Sequence, residues 1–289
     1  GIHPMSASIC ALNYTMFFTY LYQLYHDLGS GGRRLNLTVD GHRVVVYKPA
    51  QDIQQSTKKL PGIIVLHGSY STPEAMFDRG FEPLADKHGF LVIYPSTEPA
   101  KAADWGYNST VPFFAALPVR LSEDDVGLDM NQLFVCGHSS GGTMALFLQN
   151  EMDVFQAAGA VEGAVGHLQE WHMSRHGHRT MVIWNHADPV LEEFAPPGGE
   201  PAYYNLTVST LRRSSSVEPS STQAMPTSES VPHAELLTFS REDPTPELAI
   251  LSWRSKPGTH NWPSSSWTGS FDAAQELTKF FLGLQRVDV

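Results

Sequence analysis

The stretch Gln132-Leu-Phe-Val-Cys-Gly-His-Ser-Ser-Gly-Gly-Thr-Met-Ala-Leu146 decides how the rest of the chain is read. Residues 133–136 are apolar without a break, which predicts a buried strand. Gly137-His138-Ser139-Ser140-Gly141 follows and fits Gly-x-Ser-x-Gly, and a helical run over residues 143–149 comes next. A serine held on a sharp turn between strand and helix is pushed out above the edge of a sheet. Gly137 and Gly141 carry no Cβ, so strand and helix can approach closely around it. Gly and Ser are common, and it is the strand–turn–helix setting that makes Ser139 a candidate nucleophile rather than part of an ordinary turn.

Outward from that turn, strands and helices alternate. Gly62-Ile-Ile-Val-Leu66 and Phe90-Leu-Val-Ile-Tyr94 read as strands buried on both faces. Between them a helical region starts at Thr72-Pro73-Glu74 and stops at the capping pair His88-Gly89. Further upstream, residues 34–40 alternate polar and apolar, Asp40-Gly41 signals a tight turn, and residues 42–48 return as a second strand. Residues 111–121 predict the helix before the 133–136 strand. Downstream, residues 155–161, 180–184, 234–240 and 248–253 read as strands, with residues 162–178 irregular or helical. A terminal helix over residues 272–284 sets Ala273, Leu277, Phe280 and Phe281 on one side. Residues 196–233 depart in composition, rich in Ser, Thr, Pro and Gly, and read as an excursion with one helical piece over residues 203–213. This order predicts an α/β fold: a mainly parallel central sheet with an N-terminal antiparallel hairpin and helices on both faces. The domain is expected over residues 34–289, after an N-terminal helical extension over residues 1–33 whose helix spans residues 5–28.

Composition bounds what this fold is for. The chain has 289 residues, 42% hydrophobic and 17% charged, enough for one large core. Its formal net charge is −11 with no basic stripe, which argues against a nucleic-acid partner. No apolar run approaches the roughly 20 residues of a membrane span. Residues 8–25 are aromatic and apolar but interrupted by Asn13, Thr15, Thr19 and Gln23, and read as an amphipathic helix without the basic start of a signal peptide. Four Asn-x-Ser/Thr sequons, at Asn13, Asn36, Asn108 and Asn205, lean towards a secreted, extracellular protein. Of the 2 cysteines, Cys136 belongs to the buried strand and Cys10 to the N-terminal segment, and neither has zinc-site spacing.

In a sheet of this kind, functional groups collect at the carboxyl ends of the strands. Those ends carry His67-Gly68-Ser69, then Ser139, then Asp188, then His260 in the turn Lys256-Pro257-Gly258-Thr259-His260-Asn261-Trp262-Pro263. A serine hydroxyl needs an imidazole to take its proton, and the imidazole needs a carboxylate to hold its tautomer. Ser139, His260 and Asp188 are the candidates for those roles, in the chain order Ser…Asp…His, with Asp153 or Asp243 as alternative carboxylates. The oxyanion would be met by the backbone N–H of Ser140 and that of Ser69. His67 reads as a brace for the oxyanion loop. Tyr70, Trp105, Tyr107, His138 and Trp262 are candidates for lining the substrate cleft, although aromatic residues of this kind serve equally as core. Glu170, His172, His176 and His178 contain an i, i+4 histidine pair but lack His-Glu-x-x-His, so no metal site is assigned.

These motifs, taken together and in order, resemble the polyhydroxybutyrate depolymerase-like esterases, with feruloyl and acetylxylan esterases among them. The resemblance rests on Leu66-His67-Gly68, residues 90–95, Asp104-Trp105, Gly137-His138-Ser139-Ser140-Gly141-Gly142, Ala187-Asp188-Pro189 and His260-Asn261-Trp262-Pro263, and runs over residues 34–285. It implies an α/β-hydrolase fold and hydrolysis of carboxylic esters. The three groups themselves predict an acyl-enzyme route that needs no cofactor, and with no attached carbohydrate- or polymer-binding module visible in the sequence a small or oligomeric ester is the expected substrate. Two positions depart from the family pattern: Trp184-Asn185-His186 stands where His-Gly-Thr is usual, and Ser69 where a cysteine is common. A serine peptidase or thioesterase would use the same three groups, and a non-catalytic binding protein could occupy the same scaffold.

Overall fold

The computed structural model describes residues 31–50, 59–97, 105–123, 125–165, 179–241 and 246–284. The N-terminal helix expected over residues 5–28, Cys10 and the histidines at 172, 176 and 178 lie outside the described residues.

Among the described residues ten strands form one sheet. They are β1 (Arg33–Val39), β2 (His42–Lys48), β3 (Leu60–Leu66), β4 (Leu91–Pro95), β5 (Leu128–His138), β6 (Ala157–Val161), β7 (Arg179–Asn185), β8 (Glu218–Ala224), β9 (His233–Ser240) and β10 (Leu248–Arg254), in the spatial order β1-β2-β4-β3-β5-β6-β7-β10-β9-β8. From β4 through β10 every neighbouring pair is parallel. The β1–β2 hairpin turns at Asp40 and Gly41, both at positive φ, and joins antiparallel to β4 through β2. This is the sheet of the α/β-hydrolase fold, and it agrees with the expected class.

The helices among the described residues are α1 (Phe81–His88), α2 (Tyr107–Leu121), α3 (Ser140–Glu151), α4 (Pro189–Glu193) and α5 (Gly199–Ser215) between strands and α6 (Ser265–Thr268) and α7 (Ala273–Leu282) after the last strand, and a 3-10 helix runs over Pro73–Arg79. Side chains alternate across each strand, so the sheet separates two cores. On one face Val44, Ile64, Leu66 and Val135 meet Phe113, Phe114 and Leu117 of α2, Leu146 of α3 and Tyr203 of α5. On the other face Val45, Ile63, Val65 and Phe134 meet Phe81 of α1 and Leu277, Phe280 and Phe281 of α7. The expected apolar side of the terminal helix is thus the side that is buried. Among the described residues no helix is long and apolar enough to cross a membrane.

The Ser-rich excursion is more ordered than its composition suggests. Residues 199–215 are α5, and residues 218–224 form an edge strand, antiparallel to β9, whose residues are all exposed. Its polar sequence carries no alternation because neither face covers a core. Pairing with the free edge of β9 makes it a strand.

Register decides what lies at the mouth of the sheet. Leu66 pairs with Gly137, His138 with Val161, Val161 with Ile183, and Asn185 with Trp253. The residues just past those positions, 67–70, 139, 162, 186–188 and the segment after 254, therefore emerge side by side at the carboxyl ends.

Candidate active site

Ser139 sits between β5 and α3 with φ 56° and ψ −124°, a region that side-chain-bearing residues rarely enter. Such a conformation costs on the order of 1–3 kcal/mol and persists only where the surroundings enforce it. Here a Cβ added at Gly137 would lie 2.5 Å from the Gly141 backbone, and one at Gly141 would lie 2.4 Å from the His67 carbonyl oxygen. Strand, helix and the loop after β3 are in backbone contact, and this contact holds the elbow in shape.

Asp188 ends the loop after β7 and caps α4. Its Oδ1 accepts from the N–H groups of Val190 at 2.8 Å and Leu191 at 3.1 Å, so its orientation is set by the helix it starts. Its other oxygen, Oδ2, lies 2.6 Å from Nδ1 of His260. The other ring nitrogen, Nε2, is buried and meets no hydrogen-bond partner among the described residues. His260 and Ser139 border one cavity of about 810 Å³, together with Ser140, Ser69, Tyr70, Tyr107 and His138. The sheet thus brings together all five residues expected for the reaction: Ser139, Asp188, His260, Ser140 and Ser69. Ser140 opens α3, so its N–H is among those of the first turn that have no acceptor within the helix.

The candidate cleft aromatics divide. Tyr70, 73% exposed, and Tyr107 border the cavity, as does His138. Trp105 and Trp262 do not: they are 2% and 1% exposed and belong to the two cores. Trp105 still serves the site, since its Nε1 donates to the His67 carbonyl at 2.9 Å and its ring lies 4.7 Å from that imidazole. His67 is buried, its Nδ1 is 2.8 Å from the Gly68 carbonyl oxygen, and burial lowers its pKa. It braces the loop that carries Ser69. Trp262 lies edge-on to His138 and Phe81, backing the ring that faces the cavity.

Several residues of the site were not anticipated. Asn185, at the end of β7, is fully buried and uses both ends of its amide: Nδ2 donates to Ser255 Oγ at 2.9 Å and the Thr259 carbonyl at 2.7 Å, and Oδ1 accepts from the N–H groups of Ala187 at 3.0 Å and Ser255 at 3.1 Å. One side chain ties the loop bearing Asp188 to the loop bearing His260. Glu162, the first residue after β6, places Oε2 3.3 Å from Nδ1 of His260 and 3.3 Å from Nε2 of His138. The strand-end rule that picked out Ser139 and Asp188 applies to Glu162 as well; the apolar run over residues 157–161 was its signal. Leu191, Phe194 and Tyr203, from α4, its C-terminal end and α5, complete an apolar wall, and Arg79 is the cation in the lining.

Ionisable groups cluster closely here. Burial, with help from His260 and Arg79, lowers the pKa of His138 to about 3, so its ring is neutral at neutral pH. Burial first, then Asp188, pushes the carboxyl of Glu162 well above the usual range. His138, Glu162 and His260 each offer a ligand atom within 4.8 Å of the others, the one such group that could hold a metal ion among the described residues. A cation there would occupy the imidazole that Asp188 now holds.

No protein-family model matches the chain. An acetylxylan esterase of Coprinopsis cinerea is 31% identical over 137 residues, covering 43% of this chain and 35% of that protein. The chain therefore spans about a third of the length of the curated relative it matches. Among solved structures, an acetyl xylan esterase from Aspergillus awamori superposes with a TM-score of 0.62 at 15% identity, over 88% of this chain and all of the other. An S-formylglutathione hydrolase from Staphylococcus aureus gives 0.45 at 18% identity, over 56% of this chain and 79% of the other. The likeness to the Aspergillus awamori structure is one of fold.

Proposed function

We propose that the protein hydrolyses carboxylic esters through an acyl-enzyme on Ser139. The observation that carries this reading is the 2.6 Å contact of Asp188 with His260 at a cavity shared with a strained Ser139. His260 Nε2 takes the Ser139 proton as Oγ attacks the ester carbonyl. The oxyanion forms toward the N–H groups of Ser140 and Ser69. The same imidazole gives the proton to the departing alcohol, and water, deprotonated in its turn, releases the acid and restores Ser139. All of the groups needed are on the chain itself.

The partial match to an acetylxylan esterase supports an ester rather than an amide or thioester substrate. The lining is apolar and aromatic at Tyr70, Tyr107, Leu191, Phe194 and Tyr203, and its volume of about 810 Å³ admits acids from acetyl to cinnamoyl size. Acetyl, feruloyl and short hydroxyalkanoate esters form the substrate range of this reading, the last being what a polyhydroxybutyrate depolymerase-like enzyme would cleave. In this reading the protein is secreted, and the exposed sequon residues Asn36, Asn108 and Asn205 are accessible to glycosylation. A mobility shift on glycosidase treatment after expression in a secreting host checks that part.

A fluorophosphonate should label Ser139 in the wild type and leave Ser139→Ala unlabelled. Hydrolysis of p-nitrophenyl acetate, p-nitrophenyl 3-hydroxybutyrate and methyl ferulate should fall by roughly 10⁴-fold or more in the same variant. Asp188→Asn keeps the helix cap, because the amide oxygen still accepts, but loses about 10⁴-fold in kcat through the wrong tautomer of His260. Turnover by Ser139→Ala near the wild-type rate would end the serine reading.

A further inference from the structure

Beside the Asp188–His260 pair stands a second buried carboxyl that the reaction as written does not use. The Glu162 side chain is 0% exposed, and it lies against Asp188 as well as His260 and His138. We propose that Glu162 is a positioning residue: it retains its proton at neutral pH, donates it to Asp188, and so holds that carboxylate in line with Nδ1 of His260. This inference rests on the serine mechanism above and concerns how its acid is aimed.

Hydrogen-bond accounting argues which carboxyl carries the proton. Asp188 receives two backbone N–H bonds at the start of α4 and the N–H of His260, which together stabilise an anion. Glu162 receives far less. Its Oε2 faces Nε2 of His138 and Nδ1 of His260, each at 3.3 Å, and its Oε1 meets no N–H or O–H donor among the described residues. An oxygen buried without a donor beside a carboxylate is satisfied when it is itself the donor. The arrangement is then complete: Oε1–H donates to Asp188, and Oε2 accepts from Nε2–H of neutral His138.

Charge points the same way. The groups facing Glu162 are Asp188 from the loop after β7, His260 from the loop after β10 and His138 from β5, with Arg79 of the 3-10 helix acting on His138. His138 is neutral, so the one cation formed beside the two carboxyls during the reaction is the imidazolium of His260. A single negative charge matches it. Two adjacent carboxylates in a buried site would repel each other, and one of them keeps its proton. The backbone of Glu162 is also at positive φ, 51°, a strained placement that brings the side chain to the mouth of the sheet.

The test pairs a spectroscopic readout with kinetics on the full chain. The infrared spectrum of the wild type in D₂O at pH 7 should show the carbonyl band of a buried protonated carboxyl, and Glu162→Gln should lack it. Glu162→Gln keeps a donor and an acceptor in place, so kcat on p-nitrophenyl acetate should stay within about threefold of wild type. Glu162→Leu removes both and should lose about 10- to 100-fold in kcat with little change in KM, the effect of removing one hydrogen bond to a charged group. Absence of the band at pH 7, or a Glu162→Leu protein with the wild-type kcat, overturns the proposal. The wild-type spectrum decides the protonation state even if Glu162→Leu does not fold. A wild type that shows the band but is neither labelled by fluorophosphonate nor active on esters refutes the serine reading instead, and leaves Glu162 as the protonated partner of Asp188.

Discussion

Asn185 shows how much a single buried side chain can decide. Two loops more than seventy residues apart in sequence must meet within a hydrogen bond's length for His260 to reach Asp188. Each loop alone is free to shift, and a displacement of about 1 Å at a reacting group can cost a hundredfold in rate. Asn185 joins them by four hydrogen bonds to Ser255, Thr259 and Ala187. Asn185→Ala leaves those buried groups unpaired, and an unpaired buried group costs about 1–3 kcal/mol each. The variant should unfold at lower temperature and lose kcat by at least tenfold, with KM much less affected. Calorimetry beside steady-state ester kinetics checks both; a variant that loses stability but keeps kcat would mean that other contacts aim the histidine. The residue is invisible to motif reading, because an asparagine at the end of an apolar run looks like an ordinary turn. Its role exists only once the Ser255 and Thr259 loop is folded against it. Ser139, Asp188 and His260, by contrast, are legible in the chain, since each stands at the end of a strand that hydrophobic runs had marked.

At the scale of elements, the packing of β3, β5 and α3 is the feature on which the site depends. Gly141 lies in the first turn of α3, and a side chain there would fall within 2.4–2.5 Å of the His67 and Leu66 carbonyl oxygens. Those atoms are backbone and cannot swing away. Gly141→Ala should therefore destabilise the protein by about 2–4 kcal/mol or displace the helix, and either outcome should lower fluorophosphonate labelling of Ser139. Thermal unfolding and labelling rates measure it; an Ala variant equal to wild type in both would show that the elbow has room to spare. Elements that bury a face were readable, since β3, β4, β6, β7 and α7 carry the apolar spacing their packing demands. The edge strand over residues 218–224 was not, because Glu-Pro-Ser-Ser-Thr-Gln-Ala buries nothing and owes its form to a neighbour's free backbone. Trp105 and Trp262 illustrate the converse limit: an aromatic near a catalytic motif in sequence gives no sign of which side of the loop it will face.

For the whole molecule, the buried groups at the mouth of the sheet couple stability to pH in two opposed directions. His138 has its pKa lowered from 6.5 to about 3, so below pH 6.5 the unfolded chain takes up a proton that the native ring refuses. Its contribution is full above pH 6.5 and is lost as pH falls toward about 3. Glu162 has its pKa raised above 4.5, so above that pH the unfolded chain releases a proton that the native carboxyl keeps. Its contribution is full below pH 4.5 and declines as pH rises toward the native value. Between pH 4.5 and 6.5 the two slopes oppose each other, and the wild-type unfolding temperature changes less than either group alone would make it. His138→Gln removes the rising slope, so its unfolding temperature should fall with increasing pH relative to wild type across that window. Glu162→Gln removes the falling slope and should tilt the curve the other way. Scanning calorimetry at half-unit pH steps reads both. The opposition follows from one architectural fact: a parallel sheet gathers its strand ends into a single desolvated mouth, so the groups assembled there must be neutral or paired. Tilts of the same sign in the two variants would mean that His138 and Glu162 are not held in the charge states that this mouth imposes.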